Sequence, residues 1–275
     1  PSGLQVVLGK RWNLVEPYYW MLREIDDVVD GDVPVPSMYT SSVEYLKQKI
    51  KFVQDGKPKD FVEEIMVKCW ERLDSAGGSS WALRDATRDI LGCMKFDQER
   101  SEHFRATGNI SMLSESAITK YFRQMELSGC IRGLFELLEG KASKIGEVED
   151  VVRAAGQHRQ ALRDLPEDVA RGVFSIPKKD WLEHSSMEEL RFFCEQCKDK
   201  GRLTKESAKE FLDTAPEAVR QWARKQVDVG NSLLQKYSAS GRSKQFGTTA
   251  RLLLYYHYER PSRKFFADIS PTIAP

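Results

Sequence analysis

Apolar side chains recur along this chain at spacings of three and four. Trp12, Val15, Tyr19, Leu22, Ile25 and Val29 trace one such stripe, the pattern of a helix that buries one face. No stretch carries the every-second-residue alternation of a half-buried strand, no Asn-Gly pair marks a hairpin, and no segment repeats. The chain is therefore expected to be all-α. Its 275 residues allow one large core or two small ones. No linker divides it, so a single domain over 1–275 is expected.

Helices are expected over 10–30, 41–53, 61–73 and 81–96, then from a Ser114 or Ser116 cap to 138. Pro17 should kink the first or mark its start, and Ser79 or Ser80 should cap the fourth. Further helices are expected over 147–166, 188–199, 205–237 with a break at Pro216, and 247–260. The stretches 33–36 and 173–177 read as extended loops.

Net charge is +1, without the basic excess that nucleic-acid binding needs. No apolar run approaches the ~18 residues of a membrane span, so no transmembrane segment is expected; peripheral membrane association stays open. The first residue is Pro1, not Met, so the natural N-terminus, with any leader peptide, is expected to lie outside this sequence. Five cysteines at irregular spacing argue against a disulfide framework and for a reducing, cytoplasmic setting. Cys194 and Cys197 form a C-x-x-C, but with no second pair or histidine cluster they read as two helix cysteines one turn apart.

Two acidic pentads interrupt the helical pattern: Asp26-Asp27-Val28-Val29-Asp30 and Asp164-Leu165-Pro166-Glu167-Asp168. Each sets carboxylates four residues apart, hence on one helix face, where like charges repel by roughly 0.2–0.5 kcal/mol per pair. A cation would relieve that cost. Oxygen ligands without His or Cys suit Mg²⁺, which takes one or two carboxylates and completes its shell with water and substrate phosphate. In the first pentad Arg23 and Tyr19 lie one and two turns upstream, among apolar neighbours that make unpaired carboxylates expensive. In the second, Gln157, Gln160, Asp164 and Asp168 fall on one expected stripe, with Arg163 and Arg171 beside it to fork phosphate oxygens. Pro166 should end or distort that helix. An acidic solvated face with ordinary helix ion pairs is the plainer reading of either pentad taken alone.

The stretch Arg-Glu-Ile-Asp-Asp-Val-Val-Asp, from Arg23 to Asp30, resembles the first aspartate-rich motif of the squalene and phytoene synthase family. Arg-Asp-Leu-Pro-Glu-Asp-Val-Ala-Arg-Gly-Val-Phe-Ser-Ile-Pro, from Arg163 to Pro177, resembles its second motif and exit, and Met94-Lys95-Phe96-Asp97 resembles a segment between them. The resemblance covers nearly the whole chain. It implies a class I isoprenoid-synthase helical bundle around a central cavity, and a Mg²⁺-dependent prenyltransferase with roughly two or three ions holding the diphosphate of an allylic donor. By position, the implied metal ligands are Asp26, Asp27, Asp30, Asp164 and Asp168, with Asp26, Asp30, Asp164 and Asp168 the principal catalytic candidates. Tyr19, Arg23 and Gln157 match positions near the diphosphate. Gln160, Arg163, Arg171, Arg123 and Arg260 complete the implied substrate-binding set. An apolar, water-poor pocket would protect the carbocation, and aromatic faces would steady it by about 0.5–2 kcal/mol each.

The departures redirect the reading. Gln160 stands where the family has Asn, and Val173 and Ser175 where it has Arg and Tyr. In the tyrosine-rich segment only Tyr121 survives; Arg123 replaces the middle tyrosine and Arg132 a small glycine. The lost tyrosines and added arginines tilt the expectation toward a short donor, such as dimethylallyl diphosphate, and an apolar or aromatic small-molecule acceptor. Head-to-head condensation of two prenyl diphosphates is the alternative; a terpene cyclase and a non-catalytic assembly factor are lesser ones. His158, beside the second stripe, reads first as structural and second as a base. Tyr255, Tyr256 and Tyr258 read as core.

Overall fold

The structure, a computed structural model, describes residues 12–139 and 142–273, and among them it is wholly helical, with no strand. The chain divides into two compact units whose segments interleave in sequence. One comprises Pro1–Glu99, Gln124–Gly146 and Gln245–Leu252; the other comprises Arg100–Arg123, Glu147–Lys244 and Leu253–Pro275.

In the first unit, α1 (Trp12–Asp30) packs mainly on α3 (Phe61–Ser75) and also on α2 (Ser42–Asp55). Tyr18, Met21, Ile25 and Val28 of α1 meet Leu46, Phe52, Met66 and Trp70 in the core. Phe52 and Trp70 stack with centroids 5.2 Å apart. The Arg84 guanidinium lies over the Trp70 ring at 4.7 Å and donates from Nε to Val53 O at 2.7 Å. That residue belongs to α4 (Ser80–Thr107). A π-helical stretch, Arg123–Ile131, leads into α6 (Arg132–Glu139), which follows α5 (Glu115–Phe122) in sequence. Gly133 seats α6 against α1, since a Cβ there would come within 2.9 Å of the Tyr18 hydroxyl.

The second unit is built around α13 (Glu217–Ser240). It packs on α7 (Glu149–Arg153), on the π-helical Ala154–Gln160 that follows, on α10 (Lys178–His184) and on α15 (Arg260–Ile273). Gly230 makes the last contact close, because Phe266 fills the space its Cβ would take. Between them in sequence come α8 (Ala161–Arg163), α9 (Leu165–Ala170), α11 (Met187–Cys197) and α12 (Lys205–Thr214). Phe174, Trp181, Phe193 and Phe211 run as a chain of ring contacts at 5.3, 6.1 and 5.8 Å. A third π-helical stretch, Leu254–Glu259, joins α14 (Thr248–Leu253) to α15.

Several expected boundaries shift. Pro17 sits inside α1 and does not mark its start; residues 10 and 11 of the expected helix lie outside the described ones. The Ser79 hydroxyl accepts from Ala82 N at 3.2 Å and caps α4. That helix continues to Thr107, well past 96, because its later buried residues are polar: Gln98 Nε2 donates to Val29 O at 2.9 Å, and Arg100 Nη2 to Phe174 O at 2.7 Å. An apolar stripe does not see such a face. Ser114, not Ser116, caps α5. Helix α10, in a stretch for which no element was expected, is anchored by fully buried Trp181, whose Nε1 donates to Ser186 O at 2.9 Å. The last helical run reaches Ile273 instead of 260. Cys194 and Cys197 are free and buried, and burial pushes their thiols up to about 11 and 12, so both stay protonated. Among the described residues no helix is long and apolar enough to cross a membrane.

Candidate functional site

The first acidic motif occupies the last turns of α1. The helix buries Ile25, Val28 and Val29 and leaves Asp26 and Asp27 half-buried and Asp30 exposed. The carboxylates thus flank the core instead of lying in it. Arg23 reaches forward over them: Nη1 donates to Asp26 Oδ2 at 3.2 Å, and Nη2 stands 2.6 Å from Asp27 Oδ1. Asp27 Oδ1 is itself buried with no aligned hydrogen bond, so that second contact is an ion pair without hydrogen-bond geometry. Asp32 Oδ2 lies 3.9 Å from the same guanidinium. Tyr19 is exposed, with its ring edge-on to Trp20 at 5.7 Å.

The same unit contains a third acidic pair that the pentads overshadowed. Asp85 and Asp89 of α4 stand four residues apart, as within the pentads. Arg132 and Arg88 both pair with Asp85. Gln124 Nε2 donates to Asp89 Oδ1 at 3.2 Å, while burial holds that carboxyl above its ordinary range. Arg132 is therefore neutralised by a partner one helix away and is not a bare cation.

The second motif lies at a break. The backbone leaves helical geometry at Asp164, with φ −92° and ψ −1°, and restarts as α9 with Pro166 in its first turn. Breaking here spares the proline ring a clash with a preceding carbonyl. The expected single stripe is interrupted twice, once by the π turn bearing Gln157 and once at Asp164. Arg163 forks its neighbour: Nε donates to Asp164 Oδ1 at 2.6 Å and Nη2 to Oδ2 at 2.7 Å. Arg202 adds Nε at 3.3 Å from Asp164 Oδ1 and 3.0 Å from Glu167 Oε2. Nothing in the sequence marked Arg202; it arrives from the loop before α12, whose Leu203 N donates to Arg163 O at 2.7 Å. Asp168 and Arg171 are half-buried; the Asp168 carbonyl accepts from Val173 N at 2.8 Å and turns the chain out of α9.

Gln157 Oε1 accepts from Arg153 Nε at 3.1 Å, and its Nε2 donates to Thr119 Oγ1 at 3.2 Å. Gln160 is half-buried, and its carbonyl accepts from Asp164 N at 2.8 Å. Arg123 is exposed and pairs with Glu149 at 3.1 Å. Arg260 is exposed and sits over the Tyr256 ring at 5.9 Å. Tyr255 and Tyr256 are exposed too, against the expectation of core. His158 is buried on the face toward α13; Nδ1 lies 2.7 Å from Gln226 Oε1 and so carries the proton, and Nε2 finds no partner. Burial pushes this imidazole down to about 4, leaving it neutral at physiological pH.

Among the described residues no three His, Cys, Asp or Glu side chains form a preassembled cation cage. Of the motif carboxylates, Asp26, Asp27, Asp164 and Glu167 are engaged by arginines, and these are oxygen donors left partly open to solvent. That donor set fits a hard divalent cation entering together with an anion that recruits the arginines. No protein-family model, curated protein or solved structure matches this chain.

Proposed function

We propose that the chain is a Mg²⁺-dependent prenyltransferase of the squalene and phytoene synthase type of fold. In this reading it ionises a short allylic diphosphate and passes the prenyl group to an apolar or aromatic small molecule. The observation that supports it is the arginine fork on each acidic motif: Arg23 on Asp26 and Asp27, and Arg163 with Arg202 on Asp164. A metal diphosphate offers both halves of each ion pair a new partner at once. The carboxylates of Asp26, Asp27, Asp30, Asp164 and Asp168 would hold the cations, and Arg23, Arg163, Arg171 and Arg202 would turn to phosphate oxygens, for which a guanidinium fork is shaped. Bound Mg²⁺ would supply Lewis-acid polarisation of the leaving diphosphate. Tyr19 would donate a hydrogen bond from its hydroxyl to a phosphate oxygen, and Gln157 would donate one from the Nε2–H that now binds Thr119. In this reading Arg123 and Arg132 keep the partners they have.

The test is incubation of the full chain with Mg²⁺ and labelled dimethylallyl, geranyl or farnesyl diphosphate, with and without electron-rich aromatic acceptors, read by diphosphate release and product mass. Metal-dependent release from a short donor, abolished by Asp26→Asn and by Asp164→Asn, is expected. No metal-dependent release from any donor would refute the reading, and a dimeric prenyl hydrocarbon would transfer it to head-to-head condensation.

A further inference from the structure

Within the second unit, the C-terminal end of α4, the turn after it and α11 enclose a half-open cavity of about 450 Å³. That volume lies in the ~300–1,000 Å³ range of small-molecule pockets. Its walls are Phe104, Ile110, Met187, Leu190, Phe192 and Cys194. The Cys194 sulfur is a protonated thiol and acts as part of that apolar lining. Met187 and Phe192 remain 46% and 66% exposed, apolar wall surface that the fold itself does not cover.

The walls are fixed in place. Phe104 rests on Gly172, whose φ of +80° suits glycine and whose missing side chain makes the room, since a Cβ there would collide with the Phe104 ring. Helix α11 packs on α9 and starts from a capping box, with Ser186 and Glu189 bonding each other's backbone.

Charge at the mouth comes from α11 itself. Glu195 is paired with Lys198 at 2.5 Å. Glu188 lies in the helix's first turn, where the aligned peptide dipoles offset a negative charge. Arg191 has no hydrogen-bond or ion-pair partner among the described residues. One cation is thus left over at the edge of an apolar hollow.

We propose that this cavity binds a small amphiphilic anion: an apolar body seated against Phe104, Leu190 and Phe192, with a single carboxylate, phosphate or sulfonate group received by Arg191. The site is independent of the acidic motifs and of the reaction proposed for them.

Two fluorescent probes test it, anilinonaphthalene sulfonate and its uncharged parent phenylnaphthylamine, titrated into the full chain. Each should show a saturable component. Phe192→Ala, at an exposed position outside the core, should weaken both probes at least about fivefold, as expected for losing most of one aromatic wall. Arg191→Gln should weaken the sulfonate about fivefold to tenfold and leave the neutral probe within about twofold, as expected for one partly solvated charge pair. Circular dichroism should be unchanged in both variants. Any other pattern overturns the proposal, including no saturable binding, a Phe192→Ala variant that binds normally, or an Arg191→Gln variant that weakens both probes alike.

Discussion

Replacing Arg23 by Gln should move two affinities in opposite directions. In the free protein the Arg23 guanidinium holds Asp26 at 3.2 Å and Asp27 at 2.6 Å, so it competes with any cation for the same oxygens. The three side chains are 45%, 37% and 27% exposed, so each ion pair is screened and contributes no more than about 1 kcal/mol. Removing both contacts relieves up to about 2 kcal/mol of competition, and divalent-cation binding without diphosphate should tighten by up to roughly thirtyfold. With diphosphate present the guanidinium has moved to phosphate oxygens. Losing its charge-assisted hydrogen bonds there costs about 1.5–3 kcal/mol, so metal-dependent diphosphate binding should weaken roughly tenfold to a hundredfold. Mn²⁺ standing in for Mg²⁺ and followed by electron paramagnetic resonance reads the first affinity; calorimetric titration of inorganic pyrophosphate at saturating Mg²⁺ reads the second. Cation binding that weakens in Arg23→Gln, or pyrophosphate binding that does not change, would refute the exchange of partners on which the proposed mechanism rests.

Three further outcomes probe the framework around the site. Gly230→Ala drives a methyl into the ring of fully buried Phe266 and should cost about 1–3 kcal/mol, read as a lower urea midpoint at unchanged slope. Lys49 and Glu63 are each 2% exposed and bonded at 2.8 Å, and Lys49 pairs with Asp60 as well; Lys49→Met leaves Glu63 buried with only the Lys59 N–H and should cost about 3–5 kcal/mol, part of it recovered by adding Glu63→Leu, as chemical denaturation will show. Burial pushes His158 down from 6.5 to about 4, with Gln226 opposing the shift and Arg153 and Lys225 adding to it. Between those values the unfolded chain binds the extra proton, so acidifying from pH 7 to 4 should remove about 3 kcal/mol of stability, present in full above pH 6.5. His158→Gln should flatten that part of the pH–stability profile; an unchanged slope would count against a buried neutral imidazole.

Legibility in the sequence followed the kind of side chain that each segment buries. The α1 stripe of Tyr18, Met21, Ile25 and Val28 is apolar, and the spacing of its neighbours placed the helix and its end at Asp30. The end of α4 was lost because its inward residues are Gln98, Arg100 and Ser101, whose burial depends on backbone carbonyls contributed by distant segments. Helix α10 was lost because one buried tryptophan in seven residues makes no stripe. At the acidic motifs, Arg23 and Arg163 were legible because they lie within four residues of the carboxylates they bind. Arg202 was not, since the Leu203 to Arg163 backbone bond that delivers it is a tertiary event. The Asp85 and Asp89 pair obeyed the same spacing rule as the pentads and was available to a reading that applied it along the whole of α4.

The π-helical turns at Arg123–Ile131 and Ala154–Gln160 have a bearing on how positions in this protein can be matched to those of any other. A π turn closes its hydrogen bonds one residue later than an α turn, so it behaves as an insertion that the helix absorbs without a loop. A gapless comparison carried through such a turn goes out of phase by one residue, which on a helix is about 100° of rotation. Correspondences for Arg123, Arg132 and Gln157 therefore have to be drawn by direction in space, residue by residue, and not by counting along the chain.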